Sequence, residues 1–119
     1  MAKTILVVDD DRKIVALIKA VLSEHGYHIV CAYDGDKAIE MAQALKPDLI
    51  ILDVMMPLMD GDDAYIYLRA QESTKDIPVL FLTALRSEEE ISQKGDENVL
   101  AKPVSMDVLL AKVKQFLPE

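Results

Sequence analysis

Short, unbroken runs of branched aliphatic residues alternate along this chain with segments whose apolar residues recur at helical spacing. That alternation limits the possible folds more than any other feature. The runs are Ile5-Leu6-Val7-Val8, His28 to Ala32, Leu49-Ile50-Ile51-Leu52, Val79-Leu80-Phe81-Leu82 and a weaker Val99-Leu100-Ala101. A strand that is apolar at every position, rather than at every second one, is covered on both faces, as in a parallel sheet flanked by helices. Between the runs, Ile14, Leu17, Ile18, Val21 and Leu22 make one helical stripe. Ala38, Met41, Ala42 and Leu45 make a second, and Met106, Leu109, Leu110, Val113 and Phe116 a last, each reading as core rather than as a cofactor surface. The punctuation agrees: Gly26 follows the first helix, Pro47 follows the second and Pro78 opens the fourth strand. Asp60 and Ser87 stand as N-caps, and Ser87 with Glu90 has the spacing of a capping box. With no internal repeat, low-complexity stretch or linker, the expectation is α/β: a (βα)₅ doubly wound, five-stranded parallel sheet with right-handed crossovers.

Bulk properties narrow the function classes. A chain of 119 residues that is 51% hydrophobic fits one domain, long enough to bury a core without disulfides or structural metals. No apolar run approaches the roughly 20 residues of a membrane-spanning helix, and the N-terminus lacks the pattern of a signal peptide, so neither membrane insertion nor export is expected. The single cysteine, Cys31, sits in an apolar stretch and reads as a buried, unreactive thiol in a reducing, cytoplasmic setting. A net charge of −8 with no run of Lys or Arg argues against direct nucleic-acid binding.

In an open parallel sheet, ligands bind at the carboxyl ends of the strands. Here those ends are polar. Asp9, Asp10 and Asp11 follow the first run, Asp53 the third, Thr83 the fourth and Lys102 the fifth. Strands one and three are expected to be neighbours, which would bring several carboxylates together. Like charges held close raise one another's pKa or recruit a cation. Oxygen-only ligands in a partly open site favour Mg²⁺, Lys102 offers a point cation for a phosphoryl oxygen, and Thr83 offers a hydroxyl donor. Taken singly, each residue has a structural explanation as cap, strand end or solvated charge. Together they read as phosphoryl-transfer chemistry: a carboxylate nucleophile with a metal, an ammonium and a hydroxyl to hold the incoming oxygens.

Four motifs carry a resemblance at this point. Val7-Val8-Asp9-Asp10-Asp11, Leu52-Asp53-Val54-Met55-Met56-Pro57 with Asp60-Gly61 following, Leu82-Thr83-Ala84 and Ala101-Lys102-Pro103 are similar to the signature of response-regulator receiver domains, in order and in strand position. The resemblance covers essentially the whole chain. It implies one receiver domain over residues 1–119 with the flavodoxin-like strand order 2-1-3-4-5. It further implies that Asp53 is the phosphoacceptor, and that Asp10, Asp53 and the Met55 backbone carbonyl bind Mg²⁺ directly, with Asp9 acting largely through water. Thr83 and Lys102 would contact the phosphoryl group, Ala84 would leave the acceptor accessible, and the Lys102-Pro103 peptide would be cis. Asp11 falls at a variable position of the family and is expected to cap a helix. The donor would be a phosphohistidine on a sensor histidine kinase or phosphotransfer protein. The protein would promote its own phosphorylation and dephosphorylation rather than turn over a substrate, would be a monomer when unphosphorylated, and would act on a downstream protein. The chain ends at Pro118-Glu119, just after the fifth helix, so a receiver without an attached output domain is expected, either a stand-alone regulator or an excised part of a longer protein.

Two departures from the family pattern bear on readout. Val99 stands where the family often has Tyr or Phe, and Val104 where Phe is frequent after the proline. The segment from Thr83 to Gly95 is also about one helical turn shorter than usual, leaving a short fourth helix from Glu88 to Lys94 with Ile91 as its main apolar residue. Ordering of Ser87 to Asn98 is therefore expected to replace an aromatic rotamer flip as the output signal. Three other readings compete. A flavodoxin-type cofactor binder would need a Ser/Thr/Gly-rich phosphate loop where Asp9-Asp10-Asp11 stand. A Mg²⁺-dependent phosphohydrolase would space two Asp by one residue and follow them with Thr or Val, where this chain has Arg12. A degenerate receiver used only for docking would not retain every phosphorylation residue.

Overall fold

The computed structural model describes residues 2–56, 60–84, 98–102 and 104–118. Five parallel strands, β1 (Thr4–Val8), β2 (His28–Ala32), β3 (Leu49–Asp53), β4 (Val79–Thr83) and β5 (Val99–Ala101), form one sheet in the order β2-β1-β3-β4-β5. Among the described residues the helices are α1 (Arg12–Glu24), α2 (Gly35–Leu45), α3 (Gly61–Ala70) and α4 (Met106–Phe116). The expected fourth helix from Glu88 to Lys94, its Ser87–Glu90 capping box, Pro57 of the turn after β3, and the peptide to Pro103 lie outside the described residues.

The unbroken apolar runs are explained by two separate cores. Successive strand residues point to opposite faces. Leu6, Val8, Ile50, Leu52, Val79 and Phe81 meet Ala38, Ile39 and Ala42 of α2 and Ala64 and Leu68 of α3 on one face. Ile5, Val7, Ile29, Leu49, Ile51, Leu80 and Leu82 meet Val15, Ile18 and Leu22 of α1 and Leu109 and Val113 of α4 on the other. Every residue of β3 and β4 is buried, as a strand covered on both faces must be.

The helical stripes were partly misplaced. Leu17 of α1 and Leu45 of α2, expected in the core, are 52% and 51% exposed, and Val15 and Ile39 take the buried positions instead. Short helices rich in Ala, Leu and Ile offer more than one apolar face at a spacing of 3.6 residues per turn, and contact with the sheet selects between them. Helix ends follow the expected chemistry. Asp11 caps α1, its carboxylate accepting from the backbone N–H groups of Lys13 and Ile14. Gly26 (φ 89°) continues the α1 terminus in a left-handed turn, with its N–H donating to Ser23 O and the Tyr27 N–H to Leu22 O. Asp60 occupies the N-cap position of α3 but makes no side-chain cap bond; its carboxylate accepts from the Met56 N–H at 3.4 Å and tightens the loop after β3.

Arg69 and Thr74 close the connection from α3 to β4. Arg69 Nη1 donates to the carbonyls of Lys75 and Ile77, both at 2.7 Å, while the buried Thr74 hydroxyl donates to Leu68 O at 2.7 Å. This pins the entry to β4, whose far end carries Thr83. No described helix is long and apolar enough to cross a membrane.

Candidate functional site

Parallel register decides which strand ends meet. Val8 pairs with Leu52, so the residues that follow or end these strands, Asp9 and Asp53, come side by side. Asp53 pairs with Leu82, and Thr83 with Ala101, which carries the row on to Lys102. The chain leaves β1 toward β2 on one side and returns to β3 on the other, so this edge is the point where strand order reverses and a crevice opens.

Carboxylate oxygens of Asp9, Asp10 and Asp53 lie within 4.8 Å of one another, forming a cluster that could hold a metal ion. Asp9 and Asp53 are 1% and 4% exposed, whereas Asp10 is open to solvent. Lys102, from the end of β5, reaches across the sheet edge: its Nζ stands 2.8 Å from Asp9 Oδ2 and 3.2 Å from Asp53 Oδ1. Asp9 Oδ1 also accepts from the Asp11 N–H at 3.0 Å, and Asp53 Oδ1 accepts from the Met55 N–H at 3.4 Å. Thr83 is buried beside them, and Ala84 is exposed.

Electrostatics in this group are opposed. Burial, and then the Asp9 charge, push the Asp53 carboxyl above its ordinary value, with the Lys102 ammonium pulling it back only in part. For Lys102, burial favours the neutral amine, but the hydrogen bonds and charges of Asp9 and Asp53 outweigh it and hold the ammonium above its usual range. Among the described residues, one lysine thus serves two carboxylates and leaves a third without an ion pair, an arrangement suited to a hard, oxygen-seeking cation. Cys31, expected to be buried, is only half-buried; burial nevertheless pushes its thiol up.

The site residues read from the sequence are brought to one edge: Asp9, Asp10, Asp53, Met55, Thr83, Ala84 and Lys102. Asp9 is the most deeply buried of the three carboxylates and the nearer partner of Lys102. Gly61 follows the Asp60 N-cap in the motif after β3. A Cβ on this residue would overlap the carbonyl oxygen of Asp53 and stand 3.0 Å from the Asp53 carbonyl carbon and from Val54 Cα. Its N–H donates to Val54 O at 2.8 Å. Glycine here is a requirement of space, and the signal available in the sequence was its place directly after a candidate N-cap near the acceptor.

Comparison with known proteins follows the same geometry. Residues 5–114 match the family model described as the response regulator receiver domain. The alkaline phosphatase synthesis transcriptional regulatory protein PhoP of Bacillus subtilis is 40% identical over 98% of this chain and 49% of its own length. The transcriptional regulator RpaA of Synechocystis is 41% identical over 95% of this chain and 48% of its own. The chain therefore spans about half the length of these relatives. Among solved structures, the chemotaxis protein CheY4 of Vibrio cholerae superposes with a TM-score of 0.84 at 33% identity, covering 98% of this chain and 100% of that one. A response regulator from Chloroflexus aurantiacus gives 0.87 at 30% identity, with both chains covered in full. A strand order of 2-1-3-4-5, an acidic crevice at the point of reversal and a family match across most of its length identify this chain as a member of the response regulator receiver domain family of two-component signalling.

Proposed function

We propose that Asp53 is the phosphoacceptor of this receiver, that Mg²⁺ is required, and that the donor is a phosphohistidine on a sensor histidine kinase or phosphotransfer protein. The observation that carries the reading is the ammonium of Lys102 shared between Asp9 and Asp53, with Asp10 beside them and, among the described residues, no second cation in ion-pair contact with the cluster. Asp9, Asp10, Asp53 and the Met55 carbonyl would hold the ion. Bound there, it would supply positive charge to neutralise phosphoryl oxygens and the acidic cluster alike.

In the transfer, an Asp53 carboxylate oxygen attacks phosphorus, and the P–N bond of the donor breaks with its electron pair leaving on the imidazole nitrogen. The products are an aspartyl phosphate and a histidine. Lys102 exchanges its contact with Asp53 for a phosphoryl oxygen while Asp9 keeps it in place. The Thr83 hydroxyl donates to a second oxygen, and the small Ala84 side chain leaves the approach open. Attack of water on the aspartyl phosphate restores the carboxylate, so the protein is a self-resetting switch across residues 1–119 that signals to a partner protein in the cytoplasm.

Incubation with acetyl phosphate and Mg²⁺, followed by intact-mass measurement, tests this. The wild-type protein should gain one phosphoryl adduct, which EDTA and the Asp53→Asn substitution each abolish. An adduct of equal yield in EDTA removes the metal from the reaction, and an adduct on Asp53→Asn moves the acceptor elsewhere. No adduct on the wild type under any condition leaves a phosphorylation-independent docking module.

A further inference from the structure

A guanidinium lies over an aromatic ring at the edge of the acidic cluster. Arg12 is the first residue of α1, Tyr33 directly follows β2, and the Arg12 Cζ stands 3.9 Å from the Tyr33 ring centroid. That is within the range of cation–π attraction. The backbone sets both partners beside the site: Val8 pairs with Ala32, and the Asp9 N–H donates to Ala32 O at 3.3 Å. Tyr33 is thus about one strand spacing, roughly 4.8 Å, from the strand end that carries Asp9 and Asp10.

Arg12 is unlike an ordinary surface arginine in two respects. It is exposed and preceded by Asp10 and Asp11, yet no described carboxylate lies within ion-pair distance of it. It also stands in the first turn of a helix whose first turn has no acidic residue, where the backbone dipole disfavours a cation. Stacking on Tyr33 holds this unpaired charge at the rim of a negative crevice, in a chain of net charge −8.

We propose that Arg12, positioned by Tyr33, is a donor-attracting residue for phosphotransfer, its guanidinium drawing the phosphoryl group of the incoming donor toward Asp53 by charge. The proposal rests on the phosphoacceptor reading above. A dianionic phosphoryl group approaches a chain of net charge −8 whose cations at the acceptor, Lys102 and the proposed Mg²⁺, are engaged by the carboxylates. A further cation at the entrance, not bound by any described carboxylate, favours that approach through its charge. Arg12 takes no part in bond making, and it should not affect hydrolysis of the aspartyl phosphate, in which no donor is present.

The test measures the rate of adduct formation against acetyl phosphate concentration, at low and high salt, for wild type, Arg12→Gln, Arg12→Lys and Tyr33→Leu. Loss of adduct after donor removal is followed in parallel. Arg12→Gln should lower the initial slope about two- to fivefold at low salt, the loss expected when one exposed cation no longer attracts a dianion through water. Arg12→Lys should retain much of the wild-type slope, and Tyr33→Leu, which keeps the charge but frees it, should fall between them. The differences should vanish at high salt, and the hydrolysis rates should coincide. An unchanged slope in Arg12→Gln overturns the proposal. So does a loss that persists at high salt or appears equally in hydrolysis, since either would mean a change of site geometry. Failure of the acceptor assignment looks different: the wild type takes no adduct, or Asp53→Asn takes one as readily.

Discussion

Replacing Gly61 by alanine isolates the contact that shapes the proposed phosphorylation site. Gly61 does not adopt a left-handed backbone, so alanine should fit the helix start and, by restricting the unfolded chain, stabilise by about 0.4–1 kcal/mol. Space reverses that sign. The new methyl group would overlap the Asp53 carbonyl oxygen and press on the Asp53 carbonyl carbon and Val54 Cα, each 3.0 Å away. These are backbone atoms of a buried strand end, so no flexible side chain can turn aside. Relief requires α3 and β3 to separate by roughly an ångström, which forfeits packing at about 1–3 kcal/mol. It also stretches the 2.8 Å hydrogen bond from the Gly61 N–H to Val54 O, worth about 1 kcal/mol. The net expectation is a loss of about 2–3 kcal/mol in urea denaturation followed by circular dichroism, with an unchanged m-value. Adduct formation at Asp53 should fall by more than the unfolded fraction accounts for, because the displaced atoms carry the acceptor. Gly26→Ala provides the contrast: nothing lies within 4 Å of its Cβ, and only its φ of 89° opposes the change. It should cost about 1 kcal/mol and leave phosphorylation alone. Stability of Gly61→Ala at or above wild type would refute the steric argument.

Charge neutralisation at Asp53 should stabilise the fold. The folded pKa of Asp53 is raised, so its ionisation opposes folding: stability is greatest below the ordinary carboxylate pKa and is lost as pH rises through the raised folded value. In EDTA at neutral pH, Asp53→Asn should raise the thermal midpoint by a few degrees, and Mg²⁺ should raise that of wild type more than that of the variant. Lys102→Ala should destabilise by about 2–4 kcal/mol at neutral pH, because it strands two buried carboxylates. The deficit should shrink in acid as the carboxylates protonate. In wild type, the lysine's contribution should persist up to its ordinary pKa and disappear as pH rises through its raised folded value. Thr74→Val should cost about 1–2 kcal/mol in a urea melt through the lost bond to Leu68 O, with no change in adduct formation, since it lies at the opposite end of β4 from Thr83.

Much of this protein was legible before any coordinates. Unbroken runs such as Leu49 to Leu52 require cover on both faces, and period-2 alternation then distributes them between two helical layers. The polar residues that end those runs had to share one edge, since all the strands are parallel. Helix phase was less legible: Leu17 and Leu45 satisfy helical spacing as well as Val15 and Ile39 do, and only contact with the sheet chose between them. Distances were not legible at all. Register set Asp9 against Asp53, and long-range closure from β5 set Lys102 between them, so that Asp9 became its nearer partner. The same holds for Gly61 against the Asp53 carbonyl and Arg12 over Tyr33, contacts between segments that spacing along a chain cannot measure. Local composition determined the elements and the chemistry each could contribute. Packing decided which charges face one another, because the energy of a charge depends on its neighbours in space and on its burial, and neither exists until the chain has closed on itself.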